Sequence, residues 1–385
     1  MKSKIRAEKN AILLYNGDDT QTVYVAGKEL DLLKKWLTHN SDVAFTLRLK
    51  RAGLLDDSMR DSLMDAIIDL DRVSAPLRSL TVPESLHIEL TGKTNRGKKL
   101  ALPYSRYSEV LTEAETVGVL QIDLEDEQLS YPHLIEAVEE AYGRGMTVAL
   151  HSKGTLLDIR MVEKLVKAGL DRLQVFLYSI DDFDSRNKAA IGAMSLAGHV
   201  KLPFGINWVL RQDNLEDFPT LITAACSFGA DNVTLLRYQP CSGEAYADVA
   251  LSGSRLLKLA ELIKSTKRIT IRLDSAFSML ANYINKQAEP TILSGCGAGR
   301  RFVTMDASGN FCPCRHMRFT SDGGTLMDYW LNSPQLADFR AIEEHIGTDC
   351  RECKYMPSCR GCRAITTYLT RFEDGEKDCI FAKGL

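Results

Sequence analysis

Short apolar runs and amphipathic segments alternate through the middle of the chain. Between residue 85 and about residue 283, each strand-like apolar run is followed by a stretch in which apolar residues recur every three or four positions. The predicted strands are 86–90, 119–124, 146–150, 173–178, 204–210 and 233–238. The predicted helices between them are 132–142, 158–168, 215–225 and 255–264. This alternation predicts a parallel sheet with helices outside it, either open or closed into a barrel, with ligands at the carboxyl ends of the strands.

Residues 1–80 show a different pattern, in which the strands come first and the helices follow. The predicted elements are strands at 11–15 and 22–25, then helices at 29–38 and 59–73. Pro76 and Pro83 mark a linker to the alternating region. The N-terminal part is therefore expected to be a small unit of its own.

Residues 290–385 lack long periodic segments and are rich in glycine and cysteine. Such a segment buries little apolar surface, and metal cross-links are the usual remedy. The cysteines in it are Cys296, Cys312, Cys314, Cys350, Cys353, Cys359, Cys362 and Cys379. We therefore predict three domains, at 1–80, 85–285 and 290–385, in an α/β protein.

Composition narrows the class of protein. Of the 385 residues, 45% are hydrophobic and 26% are charged, as in ordinary globular proteins. A net charge of −3 gives no electrostatic reason to expect a nucleic acid or an anionic membrane as partner. The apolar run at 11–15 is too short for a signal-peptide core or a membrane span. We expect a cytoplasmic protein, in which reduced cysteines bind metal rather than form disulfides.

The spacing of the last cysteines is the strongest local signal. In Cys350-x2-Cys353-x5-Cys359-x2-Cys362, thiols on closely spaced turns converge on a small centre. Two structural zinc sites of four cysteines each would use similar pairs. Spacing alone leaves zinc and iron–sulfur clusters as equal alternatives.

The wider pattern resembles a known family. Cys296, then Gly309-x4-Cys314, the run from Cys350 to Cys362, and Cys379 together resemble the SPASM domain of radical S-adenosylmethionine (SAM) enzymes. That domain holds auxiliary [4Fe–4S] clusters, so the resemblance favours iron–sulfur over zinc.

The resemblance also implies how the ligands divide. Cys350, Cys353, Cys359 and Cys379 would hold an outer cluster, and Cys296, Cys314 and Cys362 would supply three ligands of an inner one. The family's usual fourth inner ligand falls on Phe302, which cannot ligate iron. Either Cys312 replaces it or the inner cluster keeps an open iron site.

The alternating region resembles the partial (β/α)6 barrel of radical SAM enzymes, but two motifs that handle SAM are missing. The CxxxCxxC loop of the family falls on Thr94, Lys98 and Ala101, none of which ligates an iron–sulfur cluster. The glycine-rich motif after the second strand is replaced by 125–128, Glu-Asp-Glu-Gln. We expect no SAM cofactor, and we assign no catalytic residue for SAM cleavage.

The N-terminal pattern is similar to the winged-helix-like peptide-recognition domain of enzymes that modify ribosomally made peptides. The resemblances together imply a protein that does not cleave SAM and works beside an active radical SAM enzyme in peptide or peptide-derived cofactor maturation. It would bind or present precursor peptide, or relay electrons through two auxiliary [4Fe–4S] clusters, and the sequence leaves a heterodimer and a homodimer open. The alternatives are a stand-alone enzyme that uses the open iron site, with acid–base groups from Glu125, Asp126 and Glu127, or a structural zinc module.

Overall fold

The computed structural model describes most of the chain. The residues described are 3–39, 43–75, 78–93, 97–177, 179–180, 185–240, 245–285, 291, 293–317 and 324–381. Three residues named in the sequence analysis, Pro76, Thr94 and Tyr178, lie outside them.

One large sheet forms the centre of the molecule. The strands of the described residues are β1 Ser3–Glu8, β2 Ala11–Asn16, β3 Gln21–Ala26, β4 Ser85–Glu89, β5 Thr91–Lys93, β6 Lys99–Ala101, β7 Gln121–Glu125, β8 Thr147–Ser152, β9 Arg172–Leu177, β10 Phe204–Leu210, β11 Asn232–Arg237, β12 Thr270–Leu273, β13 Phe302–Met305 and β14 Phe311–Cys312. Nine of them form a sheet in the order β12-β11-β10-β9-β8-β7-β4-β13-β14. Neighbours in it are parallel except β13 and β14. The prediction of a mixed α/β fold around a parallel sheet is therefore confirmed.

Helices connect these strands and cover them. They are α1 Gly27–His39, α2 Ala44–Arg51, α3 Arg60–Asp69, α4 Tyr104–Val117, α5 Leu134–Gly143, α6 Ile159–Ala168, α7 Ser185–His199, α8 Phe218–Phe228, α9 Tyr246–Val249, α10 Gly253–Ser265, α11 Ser278–Ile284, α12 Leu326–Asn332, α13 Pro334–Arg340, α14 Ile342–His345, α15 Thr348–Arg351, α16 Met356–Cys359 and α17 Arg363–Leu369. Short 3-10 turns lie at Asp57–Met59, Leu215–Asp217 and Ser275–Phe277. Within the described ranges, no helix is both long and apolar enough to cross a membrane.

Local chemistry explains where these helices begin and end. In α6, the carboxylate of Asp158 accepts the backbone N–H of Met161 at 2.7 Å, which satisfies one of the free donors of the first turn. The helix stops at Gly169, whose φ of 99° lies in the left-handed region that glycine adopts without strain.

The N-terminal unit packs against the sheet through both faces of one strand. Strands β1, β2 and β3 form an antiparallel meander. Ile12 and Leu14 of β2 point into the core made with α1, α2 and α3, whereas Leu13 and Tyr15 join the core of the large sheet. Alternate side chains of a strand point to opposite faces, so β2 is buried on both sides.

The turn between β2 and β3 covers the edge of the large sheet at which its parallel strands begin. Arg172, at the start of β9, donates to the carbonyl oxygen of Asp18 at 3.2 Å. Arg272 of β12 donates to the carbonyl oxygen of Asp19 at 2.7 Å and to the hydroxyl of Thr20 at 3.0 Å. The space enclosed by the strands is therefore covered at that end by the N-terminal unit.

The cysteine-rich segment is joined to the sheet by a strand. Residues Phe302 to Met305 of β13 pair in parallel with Ser85 to Ile88 of β4. The sheet is consequently wider than the six predicted strands, because β12 extends one edge and β13 and β14 extend the other. The helices and turns that carry the last cysteines follow this strand in the chain.

Candidate functional site

Three cysteines face one cavity. The strands enclose a cavity of about 570 Å³, here called the barrel cavity, and Cys296, Cys314 and Cys362 are among its lining residues. Burial raises the pKa of the Cys314 thiol, and the neighbouring thiols of Cys296 and Cys362 raise it further. Burial and Cys296 likewise raise the pKa of Cys362 to about 12. These three are the residues that the resemblance assigned to the inner cluster.

Cys312 lies close to this group but faces elsewhere. It belongs to β14, where it pairs with Thr304 of β13, and it is 3% exposed. Burial and the thiols of Cys296 and Cys362 raise the pKa of Cys314, and Cys312 adds a smaller effect in the same direction. Burial also raises the pKa of Tyr329, and Cys312 is the next cause. It is absent from the described lining of the barrel cavity. The structure thus separates Cys312 from the face that the other three share.

The remaining four cysteines form a second group. Burial, then Glu376, Cys350 and Cys353, raises the pKa of Cys379 to about 11. Burial also raises the pKa of Cys359, with Glu376, Cys379 and Cys350 adding to the effect. These mutual effects place Cys350, Cys353, Cys359 and Cys379 near one another.

The donor set suits an iron–sulfur cluster. In the part of the chain that the structure describes, no three His, Cys, Asp or Glu side chains are close enough to hold one metal ion. A zinc site needs its thiolates about 2.3 Å from a single centre, whereas a [4Fe–4S] cluster spreads four thiolates over four irons. Two separate groups of nearby thiols are compatible with the second arrangement.

Backbone N–H groups support several of these thiols. Such donors stabilise thiolates and tune a cluster that they ligate. The pairs, each lowering the thiol pKa against the effect of burial, are His316 with Cys314, Gly361 with Cys359, Ile365 with Cys362, Phe381 with Cys379 and Glu376 with Cys350.

Glu376 and Arg237 form a buried ion pair between the sheet and the cysteine-rich segment. Both side chains are 2% exposed, and Glu376 also accepts the backbone N–H of Cys362 at 2.9 Å. The carboxylate raises the pKa of cysteines in both groups, including Cys362 and Cys359. Sequence reasoning missed this pair, because the two residues lie 139 positions apart and no local pattern marks either.

A small hairpin occupies the place of the CxxxCxxC loop. Strands β5 and β6 pair antiparallel, with Thr91 opposite Ala101 and Lys93 opposite Lys99. Of the three positions that correspond to cluster ligands in the family, Thr94 lies outside the described residues, while Lys98 and Ala101 lie at this hairpin. None of the three has a sulfur atom.

The acidic residues at the end of β7 and directly after it all have partners. Asp126 accepts the hydroxyl of Thr91 at 3.1 Å and the backbone N–H of Tyr131 at 2.7 Å. Glu125 pairs with Arg315 at 2.5 Å, and Glu127 pairs with Lys153 at 2.5 Å. This stretch therefore ties the hairpin, the following loop and the cysteine-rich segment together.

Polar side chains meet in the barrel cavity itself. Asp123 of β7 lies between His87 of β4 and His151 of β8, with Nε2–O distances of 3.4 and 3.3 Å. Asn207 of β10 contacts His151 at 3.2 Å. Asp123, His87 and His151 were not predicted from the sequence as site residues. In β4 and β7 polar residues alternate with apolar ones, which places His87 and Asp123 on a polar face of the strand, and this alternation was the available signal.

Comparison with known proteins shows what this architecture is similar to. No protein-family model matches the chain. Over 98% of each chain it superimposes on Streptococcus suis SuiB bound to S-adenosylmethionine, with a TM-score of 0.71 and 16% identity. The chain has the fold of SuiB. It also matches anSMEcpe with bound AdoMet and Cp18Cys peptide, with a TM-score of 0.56 and 13% identity, over 77% of this chain and 92% of the other.

Proteins of related sequence support the resemblance as well. The chain is 27% identical over 300 residues to a PqqA peptide cyclase of Granulibacter bethesdensis, a match that covers 70% of this chain and 76% of the relative. It is 25% identical over 287 residues to an AdoMet-dependent heme synthase of Methanosarcina barkeri, covering 67% of this chain and 81% of the relative. The resemblance to radical SAM proteins is thus supported by sequence and by fold.

Proposed function

We propose that this chain is a radical SAM-like iron–sulfur protein that does not cleave SAM and serves an active radical SAM enzyme in peptide maturation. The observation that carries the proposal is the contrast between two sites. Seven of the eight cysteines of the C-terminal segment form a group of three and a group of four, while the first loop of the sheet is a hairpin with no thiol. Without thiolates in that loop, the chain has no ligands for the cluster that binds SAM.

In this proposal the cysteine groups hold two auxiliary [4Fe–4S] clusters. Cys350, Cys353, Cys359 and Cys379 ligate the outer one, and Cys296, Cys314 and Cys362 supply three ligands of the inner one. When bound, the clusters supply one-electron redox chemistry. Glu376 of the buried Arg237–Glu376 pair lies near thiols of both groups, and it raises the pKa of Cys362 and of Cys359 in addition to the effect of burial.

The N-terminal unit is proposed to bind precursor peptide. The fold of the chain is shared with SuiB, which has been solved bound to precursor peptide SuiA. Among the described residues, strand β3 pairs on one side only, with β2. An unpaired strand edge accepts an extended peptide through backbone hydrogen bonds. The partner would then receive a peptide held at β3.

The first test is a metal count. After strictly anaerobic purification, about eight irons and about eight sulfides per chain are expected, as for two [4Fe–4S] clusters. The variant Cys350→Ala/Cys353→Ala should keep about half of both. About two zinc ions per chain without sulfide would instead support the structural zinc module.

The second test separates a partner from an enzyme. The reconstituted protein alone should form no 5′-deoxyadenosine from SAM, and it should co-purify with a radical SAM enzyme when the two are expressed together. Formation of 5′-deoxyadenosine by the isolated chain would contradict the proposal.

Removing residues 1–80 should abolish binding of precursor peptide, and unchanged binding would contradict the role given to the N-terminal unit.

A stand-alone enzyme is the second candidate function. The observation in its favour is that Cys296, Cys314 and Cys362 line a cavity large enough for a small molecule. Its acid–base groups would come from the acidic stretch after β7, where Glu127 is already paired with Lys153. Turnover by the isolated chain that is lost in Glu127→Gln would favour this candidate.

A further inference from the structure

Arg363 is a buried cation that is held in place by backbone atoms. It is the first residue of α17 and is 2% exposed. Its Nη1 donates to the carbonyl oxygens of Phe372 and Asp374 at 2.6 and 3.0 Å. The carboxylate of Asp374 pairs with Arg371 at the surface instead. Backbone contacts therefore fix the position of the Arg363 guanidinium without neutralising its charge.

Two nitrogen atoms of this guanidinium lack a partner. Both Nε and Nη2 are buried, and no acceptor of the described residues forms a hydrogen bond with either. Buried donors without acceptors are rare in folded proteins, because such groups have lost their hydrogen bonds to water. A buried charge without an opposite charge is costly for the same reason. The free N–H groups of Arg363 are therefore suited to an anionic acceptor.

Glu376 lies close to Arg363 but is engaged by other donors. A Cβ on Gly361 would lie 2.7 Å from Nη2 of Arg363 and 2.9 Å from Oε2 of Glu376, so the glycine leaves room for both groups. Glu376 forms its ion pair with Arg237, and its Oε2 accepts the backbone N–H of Cys362. Two buried guanidinium groups thus lie near one buried carboxylate, and one positive charge is left over.

Arg363 is close to both groups of cysteines. It lines the barrel cavity, as do the three thiols assigned to the inner cluster. The Asp374 carbonyl that holds its Nη1 precedes Gly375, and a Cβ on Gly375 would lie 3.5 Å from Sγ of Cys350. Burial raises the pKa of the Cys350 thiol, whereas the backbone N–H of Glu376 and then the charge of Arg363 act against it. One cation is therefore placed near thiols of both groups.

We propose that Arg363 is a positioning residue for both iron–sulfur clusters, to whose sulfur atoms its free N–H groups donate. The inference rests on the proposed clusters. Clusters ligated by thiolates are anions, so they supply the acceptors and the negative charge that Arg363 lacks. Positive charge and hydrogen bonds at the sulfur atoms lower the cost of adding an electron. Arg363 therefore holds the reduction potentials of both clusters above the values that the cysteine ligands alone would give.

The uncompensated charge distinguishes Arg363 from Arg237. Nε and Nη2 of Arg237 also lack a hydrogen-bond partner among the described residues, but Glu376 balances the charge of Arg237. Arg363 therefore has the larger effect on an electron added nearby. Because one charge acts on both clusters, their potentials rise together, which suits the transfer of electrons from one cluster to the other.

The experiment measures reduction potentials in the full-length protein after anaerobic purification. Iron and sulfide are counted first, and the EPR signals of the reduced clusters are then followed as the solution potential is varied. Arg363→Gln should keep the iron and sulfide of the unmodified protein. Both potentials should fall by about 59 mV or more, equal to a tenfold shift of each one-electron equilibrium. Arg363→Lys keeps the charge but not the fork of donors, so its potentials should lie between those of the other two proteins.

Arg371→Gln is the matched control. The Arg371 side chain is 80% exposed, so water and salt screen its charge and both potentials should stay unchanged. Unchanged potentials in Arg363→Gln, a fall at one cluster only, or an equal fall in Arg371→Gln would overturn the inference and leave the proposed clusters in place. Absence of iron and sulfide from the unmodified protein would overturn both.

A second measurement uses the unmodified protein and so does not depend on the folding of Arg363→Gln. The protein is labelled with arginine that carries ¹⁵N in its guanidinium group, and the reduced clusters are studied by pulsed EPR. Each cluster signal should show a coupling to ¹⁵N, because an N–H donor to sulfur receives part of the unpaired spin. This coupling should disappear in Arg363→Lys. Its absence from the unmodified protein, or its persistence in Arg363→Lys, would overturn the inference.

Discussion

At the scale of single residues, two neighbouring cysteines have different surroundings. Cys314 lines the barrel cavity with Cys296 and Cys362, whereas Cys312 is held in β14 away from that cavity. Cys312 of β14 pairs with Thr304 of β13, whereas Cys314 lies beyond the end of β14 and forms a separate bridge with Met317, so the two thiols do not follow one strand. The inner cluster is therefore proposed to have three cysteine ligands and an open iron site facing the barrel cavity.

Replacing each of these cysteines tests that assignment. Cys314→Ser should lower the iron content by about four per chain, because a ligand of the inner cluster is lost. Cys312→Ser should leave iron and sulfide unchanged. The measurement is the iron and sulfide content of both variants after anaerobic purification. Circular dichroism checks that each variant is folded. Equal loss of iron in both variants would make Cys312 a ligand.

A second residue-scale prediction concerns acid. The folded-state pKa of His87 lies below its unfolded value, so the unfolded chain binds the proton more readily. Stability should be fully present above about pH 6.5 and should fall as the pH drops below that value. Urea denaturation at several pH values should show this loss. His87→Gln should reduce the loss, whereas His199→Gln, a change at the exposed last residue of α7, should leave it unchanged. If the free energy of unfolding of His87→Gln falls with pH as steeply as that of the unmodified protein, His87 is not the group responsible for the loss.

At the scale of elements, helix α12 begins on a side chain from a distant helix. The carboxylate of Glu113 in α4 accepts the backbone N–H groups of Leu326 and Met327 at 2.7 and 2.9 Å. These donors have no partner within their own helix. Glu113 thus joins the helices of the sheet to those of the cysteine-rich segment.

Loss of this cap should lower stability. Glu113→Ala is expected to reduce the free energy of unfolding by about 0.5–2 kcal/mol, the range for helix caps. Glu109→Ala is the matched control on the same helix. Its side chain is exposed and, among the described residues, pairs with Arg106, so its cost should be at most about 0.5 kcal/mol. If urea denaturation gives the same reduction in the free energy of unfolding for Glu113→Ala and Glu109→Ala, Glu113 does not act as a cap.

At the scale of the whole molecule, Arg237 and Glu376 join the sheet to the cysteine-rich segment. Arg237 also donates to the carbonyl oxygen of Ala276 at 3.1 Å, and its backbone N–H is accepted by Asp274 at 2.9 Å. Removing one member leaves the other as an unpaired buried charge. The two regions are therefore expected to unfold together.

A double-mutant cycle measures this coupling. Arg237→Met should lower the free energy of unfolding by about 3–5 kcal/mol, because Glu376 loses its partner. The double variant Arg237→Met/Glu376→Leu should recover much of that loss, since neither charge remains. Denaturation should be followed by protein fluorescence and by cluster absorbance. Additive losses in the double variant would show that the pair is not coupled.

The order of strands and helices was largely predictable from sequence. All six strands proposed for the middle of the chain are present, with small differences at their ends, because each carries either an apolar run or an alternation of apolar and polar residues. Helices α4 and α7 were missed, since their apolar faces are interrupted by polar or small residues. Strands β12, β13 and β14 were also missed, as they are short and owe their conformation to pairing with longer neighbours.

The sequence by itself determined the parallel α/β architecture, the cysteine array and the absence of cysteine between residues 91 and 101. These features depend on local periodicity and on residue identity, which can be read along the chain. Only the tertiary structure decided that Cys312 faces away from the barrel cavity, that Arg237 meets Glu376, and that His87, Asp123 and His151 share one network. Such contacts join residues far apart in the chain, and they depend on strand order and register, which no local pattern specifies.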